Sequence, residues 1–167
     1  LTPTEGELAS SSFTVAVDGL YNPGDIVVRE TDLAGNVQAS WVLGTAGSFG
    51  VNVVIDTSEP TAAVALADDT GVDGDNETSN GQVDVTFEST SEWEYSLDTG
   101  TTWSGVQASG VTSFTVSEGV YADGSLVVRE IDLAGNVQAT PTILASGYDV
   151  EIDTSEPTAT VELADDT

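Results

Sequence analysis

The chain contains no cysteine, methionine, lysine or histidine, and its only basic side chains are Arg29 and Arg129. Without cysteine it can build neither a disulfide scaffold nor a thiolate metal site, and it has no cysteine nucleophile. Without histidine it lacks imidazole acid/base chemistry and imidazole ligands for zinc. Two arginines cannot neutralise a run of phosphates or an anionic membrane surface, so we expect neither nucleic acid nor membrane insertion.

Acidic residues dominate what is present: 29 carboxylates give the 167-residue chain a formal net charge of −27. Disorder is not expected, because 39% of the residues are apolar and fall in short alternating runs. The carboxylates repel one another in a compact fold, and hard divalent cations relieve that repulsion through oxygen ligation. We therefore expect Ca²⁺ as the cofactor. The acids are scattered over loops of a repeated domain and define no cleft, so we predict no enzyme and no catalytic residue.

The sequence repeats itself with a period close to one hundred residues. The segment V-V-R-E-T-D-L-A-G-N-V-Q-A at 27–39 returns with a single substitution at 127–139, and I-D-T-S-E-P-T-A at 55–62 returns at 152–159. This period is too long for a solenoid unit and suits a whole β-sandwich domain. Tandem sandwich domains are therefore predicted.

The phase of the repeat predicts three segments. Residues 1–56 match the C-terminal half of an immunoglobulin-like repeat, 57–153 match a complete repeat, and 154–167 match the linker and first strand of a following repeat. Half a sandwich cannot bury both of its sheet faces. We therefore expect residues 1–56 to be stabilised by a segment that is missing here or by another chain.

Period-2 alternation is the dominant local pattern, and no stretch shows sustained helical periodicity. Val83, Val85 and Phe87 fall on one face of a strand, and Trp93, Tyr95 and Leu97 on one face of the next. Such alternation is typical of antiparallel strands with one solvated face, and seven of them predict an all-β fold of immunoglobulin-like antiparallel β-sandwich repeats in tandem. The predicted strands are 63–67, 82–88, 92–98, 113–116, 126–131, 137–143 and 148–152.

Three groups of acidic residues are candidate calcium sites, because Ca²⁺ takes six to eight oxygens and tolerates irregular geometry. The competing interpretations are a solvated loop and Asx turns that need no metal, and the spacing is not that of an EF-hand. We favour ligands for the loop residues, whereas for the turn residues a type I turn is an equal alternative. The candidates are the acidic loop (Asp68, Asp69, Asp73, Asp75), the two Asp–Asn turns (Asp32 with Asn36, Asp132 with Asn136) and the linker residues Asp56 and Asp153.

The expected topology connects these groups. In an immunoglobulin-like sandwich the loop after the first strand lies at the same end as the C-terminus, and the turn between the last two strands lies at the opposite end. We therefore hypothesise that the acidic loop of one repeat faces the linker and the Asp–Asn turn of the next. Calcium bound there would lock successive repeats into a rod.

A separate motif, S-L-D-T-G-T-T-W at 96–103, is similar to the Asp-box hairpin of sialidase-type propellers. We interpret it as structural, with Asp98 and Gly100 shaping the turn and Trp103 packing. Carbohydrate or surface binding by Trp93 or Trp103 is the alternative function, although tryptophan in an alternating strand is usually a core residue. Arg29 and Arg129 are each expected to form a partly exposed ion pair.

Four motifs together carry a resemblance that covers essentially the whole chain: I-D-T-S-E-P-T-A-x-V, L-A-D-D-T-G, W-E-Y-S-L-D-x-G-T-T-W and V-V-R-E-x-D-L-A-G-N-V. The chain resembles the bacterial Ig-like repeats of giant type I-secreted RTX adhesins. The resemblance implies an extracellular protein on the bacterial cell surface, with many such domains in series and calcium at their junctions. It implies that the array extends a distal binding region for cell or surface adhesion and biofilm formation.

Matched residue by residue, the resemblance implies the same candidate ligands in the linkers, turns and acidic loop, and Asp165 and Asp166 repeat the start of that loop. Its implied partners are neighbouring repeats of the same chain, with any surface or glycan ligand bound by other regions of the parent protein. No RTX nonapeptide repeat is present in this sequence, so we do not interpret it as a secretion-signal region.

Overall fold

The computed structural model describes residues 13–15, 17–38, 41–42 and 52–162, and the chain divides into two compact units, Leu1–Ser58 (unit 1) and Glu59–Thr167 (unit 2). Every regular element in the described part is a β-strand, which confirms the all-β prediction. No helix in that part has the length and apolar character needed to cross a membrane. Asp165 and Asp166 lie outside the described residues.

The described part of unit 1 forms two pairs of short antiparallel strands. The first and last strands pair with each other, with Gly19 opposite Ile55, and the middle two pair with Val28 opposite Trp41. The strands are β1 (Gly19–Tyr21), β2 (Val27–Val28), β3 (Trp41–Val42) and β4 (Val53–Ile55).

In unit 2, residues 59–162 form nine strands in three three-stranded sheets, with the orders β5-β7-β9, β8-β11-β12 and β6-β13-β10. All pairings are antiparallel except β6 with β13, which is parallel. Several antiparallel sheets in one unit are consistent with a β-sandwich. The strands are β5 (Ala63–Leu66), β6 (Glu77–Thr78), β7 (Gln82–Thr86), β8 (Glu92–Ser96), β9 (Ser113–Thr115), β10 (Gly119–Tyr121), β11 (Val127–Ile131), β12 (Thr142–Ile143) and β13 (Val150–Ile152).

The core of unit 2 forms where alternating apolar side chains from facing strands meet. Val83 and Val85 are buried between exposed polar neighbours, which confirms the alternation predicted for β7. Aromatic rings fill the centre: Trp93 is fully buried, and Tyr95 stacks on Phe114 with ring centroids 4.1 Å apart. The remaining buried members of the cluster are Ala62, Val116, Leu126, Val128, Leu144, Val150 and Ile152.

The alternation predicted for residues 92–98 is wrong from Glu94 onward. Glu94 and Ser96 are buried, whereas Leu97 is 41% exposed. The burial of Glu94 follows from an ion pair, because the Arg129 side chain covers it. Ser96 turns inward because its hydroxyl organises the hairpin that follows, donating to Asp98 Oδ1 and accepting the Gly100 N–H.

The predicted strand 137–143 is shortened to β12, and two short strands, β6 and β10, form that the alternation did not predict. Val137 forms only an isolated bridge with Ile131. Residues 138–141, between Val137 and β12, cannot continue the ladder with β11. Gln138 turns inward to accept the Ala62 N–H at 3.1 Å, and Pro141 has no N–H to donate.

A tyrosine hydrogen bond recurs in both units. The Tyr121 hydroxyl donates to the carbonyl of Ser117 at 3.0 Å, and the Tyr21 hydroxyl donates to the carbonyl of Val17 at 2.8 Å. Each bond spans four residues and reaches back to backbone upstream, as in a tyrosine corner. This contact is therefore set by local sequence, since it forms in both units.

Candidate functional site: the acidic loop, the turns and the linkers

The two Asp–Asn turns have the same geometry. Asp32 accepts the Asn36 backbone N–H through Oδ1 and the Asn36 side-chain amide through Oδ2, both at 2.7 Å. Asp132 accepts the same two groups of Asn136, both at 2.8 Å. These hydrogen bonds, with the side-chain bond from the asparagine as the largest cause, lower the pKa of both aspartates. The turn by itself therefore accounts for these four residues, and their role as calcium ligands stays a prediction.

The linker aspartates also organise their own backbone. Asp56 Oδ1 accepts the Ser58 N–H at 3.1 Å, and Asp153 Oδ1 accepts the Ser155 N–H at 2.9 Å. Each is an Asx turn of the kind that aspartate favours. The linker motif Asp-Thr-Ser-Glu-Pro thus begins with a fixed turn in both units.

A second acid in each unit holds the linker motif, and the sequence analysis missed it. Asp18 accepts hydrogen bonds from the hydroxyls of Thr57 and Ser58, at 2.7 and 3.0 Å. In unit 2 the corresponding residue, Glu118, accepts the hydroxyls of Thr154 and Ser155 at 2.6 and 2.9 Å. These bonds, with the threonine hydroxyl as the largest cause in each case, lower the pKa of both acids. The available signal was an acid directly before glycine at the same repeat position.

The acidic loop of unit 2 is held in shape by its own side chains. Asp69 Oδ2 accepts the Gly74 N–H at 2.7 Å, and Asp75 Oδ1 accepts the Glu77 N–H at 3.1 Å. Gly71 and Gly74 both have φ of 91°, a conformation that residues with a Cβ rarely adopt. Asp73 is exposed at the outside of the loop. The loop therefore has a defined conformation, with several carboxylates on one short segment.

One carboxylate oxygen in this loop lacks a partner. Asp69 Oδ1 is buried and accepts no hydrogen bond, although the other oxygen of the same carboxylate is satisfied. A charged oxygen removed from water without a partner is energetically unfavourable, so a cation at this oxygen would stabilise the loop. Asp69 is thus the candidate ligand whose carboxylate would gain most from a cation, and calcium binding there stays a prediction.

Hydrogen bonds bring the acidic loop and the C-terminal linker of unit 2 to the same end. The Thr78 hydroxyl donates to the carbonyl of Asp68 at 2.7 Å, and the carbonyl of Thr78 accepts the Asp153 N–H at 3.0 Å. Asp68, Asp69 and Asp153 therefore lie beyond the end of β5. The sequence predicts that the acidic loop lies at the same end of the repeat as its C-terminal linker, and the structure agrees.

The Asp132–Asn136 turn lies beside the other end of β5. Just after the turn, Gln138 accepts the N–H of Ala62, the residue before β5. The N–H of the next residue, Ala139, donates to Glu59 at 3.1 Å. In the part of the chain that the structure describes, no three acidic side chains are grouped closely enough to hold a metal ion. Unit 2 thus separates the predicted ligands into one set at each end.

A buried acid that sequence reasoning missed is Glu130. It is 0% exposed, and Oε1 accepts the Glu88 N–H at 2.8 Å while Oε2 has no partner. The hydroxyl of Ser91, also buried, is unpaired as well. No sequence signal distinguishes Glu130, because an acid after Arg129 reads as one half of a surface ion pair.

The partner of Arg129 is Glu94 on the neighbouring strand. Its Nε and Nη2 both donate to Glu94 Oε2, at 2.8 and 2.5 Å, and its guanidinium lies 3.9 Å from the ring centre of Trp103. The predicted partly exposed ion pair is therefore present at Arg129. Trp93 is fully buried and cannot stack on a sugar, whereas Arg129 covers one face of the partly exposed Trp103, where carbohydrate binding stays a prediction.

The Asp98 hairpin is a network centred on one carboxylate. Oδ1 accepts the Thr102 N–H at 2.8 Å, and Oδ2 accepts the Thr102 hydroxyl at 2.7 Å. These two bonds, followed by the Ser96 hydroxyl, lower the pKa of Asp98 to about 2. Gly100 has φ of 80°, and a Cβ there would lie 3.2 Å from the Trp103 ring. The residues of the motif therefore act structurally.

Comparisons with known proteins give no family for this chain: no protein-family model matches it, and no curated protein matches it. The resemblance to the Ig-like repeats of RTX adhesins therefore stays a prediction from the quoted motifs.

Proposed function

We propose that this chain is a structural extender segment of a large bacterial surface adhesin. Its tandem immunoglobulin-like repeats bind Ca²⁺ and become rigid, and the array projects a distal region that mediates adhesion and biofilm formation. The proposal includes an extracellular location and no enzymatic activity. The repeat period, the antiparallel sheets and the concentration of carboxylates support it.

The immunoglobulin-like part of the proposal is supported by strand order. The sheets β5-β7-β9 and β8-β11-β12 have the same order as the first, second and fifth, and the third, sixth and last, principal strands of an immunoglobulin-like sandwich. The tyrosine bond that precedes β11 supports the same assignment.

The single observation that carries the calcium part is the unpaired, buried oxygen of Asp69 in the most acidic loop. Bound Ca²⁺ supplies positive charge and oxygen coordination there, offsetting repulsion among the loop carboxylates. Ca²⁺ that binds only the folded protein raises the free energy of unfolding by ~2.7 kcal/mol per site at a hundredfold excess over Kd. Extracellular sites of this kind commonly have Kd near ~10⁻⁴–10⁻³ M.

The test is a thermal melt of the whole chain in EGTA and across a calcium titration to 10–20 mM (about tenfold or more above the weakest expected Kd), with calorimetric binding in parallel. We expect the melting temperature of unit 2 to rise with calcium and to fall on chelation. Asp69→Asn removes the charge at the unpaired oxygen and should abolish most of the rise. Asp84→Asn, on the exposed face of β7, is the matched control and should keep it.

A melt that EGTA leaves unchanged would overturn the calcium proposal. A calcium response that Asp69→Asn does not reduce would place the ion elsewhere. For the extender role, small-angle scattering of two complete repeats should show narrower angular distributions with calcium than with chelator.

A further inference from the structure

Unit 1 exposes apolar side chains whose counterparts in unit 2 are buried. Val27 and Val28 are each 49% exposed, whereas Val127 and Val128 are 5% and 0% exposed. Phe13 is 63% exposed, and the phenylalanine of the same S-F-T-V motif in unit 2, Phe114, is 9% exposed. Because the two segments have the same sequence here, the difference in exposure must come from a neighbouring segment that covers these residues in unit 2.

In unit 2 the cover comes from β8. This strand pairs with β11 so that Val128 lies opposite Tyr95 and Val127 opposite Ser96. The Tyr95 ring also stacks on Phe114, and Trp93 lies 5.9 Å from the same ring. One strand thus completes the sheet and buries the apolar face.

The corresponding edge in unit 1 has no partner among the described strands. β2 pairs with β3 on one side, and no described strand pairs with its other side. An unpaired strand edge presents N–H and C=O groups that can accept an added strand.

The segment that follows β2 lines a hollow of about 400 Å³, formed by Glu30, Asp32, Asn36, Val37 and Gln38. At the equivalent place in unit 2, Gln138 and Ala139 hold the backbone of Ala62 and the side chain of Glu59.

Charge adds a second form of complementarity. Arg129 pairs with Glu94 of β8, but Arg29, at the same repeat position, is exposed and forms no ion pair among the described residues. A strand with the sequence of β8 would therefore bring a glutamate to Arg29 and a tryptophan and a tyrosine to the apolar face.

We propose that unit 1 is an acceptor for the first half of a like repeat. The acceptor site is the edge of β2 that no described strand pairs, with Val28 on one side of the strand and Val27 and Arg29 on the other; it binds an extended polypeptide with the sequence of β8, Glu92–Ser96, by strand addition. The occupant is a separate segment equivalent to residues 59–112, which carries β8, the Glu59–Ala62 stretch and the Trp103 hairpin. The proposal goes beyond the extender role and does not depend on calcium.

The experiment adds a separately prepared segment, residues 59–112 of this chain, to the isotope-labelled full chain. We expect saturable binding at one segment per chain, with the amide signals of Val27, Val28 and Arg29 shifting and those of Val127 and Val128 unchanged. Arg29→Glu should weaken binding by about fivefold, and Glu94→Arg in the segment should restore it. Thr86→Arg in the segment, on the exposed face of β7, is the control and should rescue nothing.

A second form of the experiment does not need a soluble segment. Residues 59–112 fused before Leu1 through a flexible linker should slow the hydrogen exchange of Val28 towards that of Val128. Unchanged exchange in the fusion, or no shift on adding millimolar segment, would overturn the proposal. So would self-association of the chain that Val28→Lys abolishes, because the occupant would then be a second copy.

Discussion

Unit 1 and unit 2 carry nearly the same thirteen-residue segment, at 27–39 and 127–139, and place it in different surroundings. The Asp–Asn turn, the tyrosine bond and the acid that holds the linker motif are present in both units. The valines and the arginine before the turn are exposed in unit 1 and packed in unit 2. The difference teaches that contacts within a few residues follow the sequence, whereas burial depends on β8, which has no counterpart among the described strands of unit 1.

The largest expected difference between the units is at the second valine. Val128→Ala removes two buried methyl groups and leaves a cavity, so it should lower the free energy of unfolding of unit 2 by about 2 to 3 kcal/mol. Val28→Ala removes the same groups from a half-exposed site and should change stability by less than about 0.5 kcal/mol. Denaturant-dependent hydrogen exchange, read residue by residue, measures each unit. Equal losses of unfolding free energy for Val128→Ala and Val28→Ala would contradict this prediction.

The next difference is at the arginine. Arg129→Ala removes the ion pair with Glu94, whose side chain is 11% exposed, and the contact with the Trp103 ring. We expect a loss of about 1 to 2 kcal/mol in unit 2. Arg29→Ala should have almost no effect, and Arg129→Lys should recover only part of the loss, because a lysine cannot reproduce the planar contact. Chemical denaturation of the four proteins checks the ordering.

The smallest expected difference is at the turn aspartates. Asp32 and Asp132 both have a pKa lowered from 3.8, chiefly by the side-chain hydrogen bond from asparagine, so both should titrate below the ordinary range. Because each folded pKa lies below the unfolded value, the stabilisation is present above about pH 4 and is lost as the pH falls through the lowered pKa.

Carboxyl-carbon NMR titration measures both turn aspartates directly, and in the same experiment Asp98 should titrate at about 2. Asn36→Ala and Asn136→Ala should each raise the pKa of their own aspartate. A lowered pKa at Asp132 together with an ordinary one at Asp32 would show that tertiary packing, rather than the turn, sets the titration.

Sequence patterns predicted the strands whose apolar residues alternate most strongly. Val83 and Val85 are buried as expected, and the Asp98 hairpin has the expected turn. The prediction failed at Glu94 and Gln138, because a polar side chain can turn inward when a partner from a distant segment satisfies it. Glu130 could not be predicted, since its partner, the Glu88 N–H, comes from a segment far away in the chain, and no sequence pattern shows which of the two carboxylate oxygens of Asp69 lacks a partner.

The sequence by itself determined the period of the repeat, the all-β class and the turns, because alternation and Asx chemistry act between residues that are close in the chain. It also determined the large excess of negative charge, which led to the calcium hypothesis. Only the tertiary structure decided which of two identical valine pairs is buried, which arginine is paired and which carboxylate oxygen lacks a partner. These properties depend on what packs against a residue, and that partner is supplied from elsewhere in the chain.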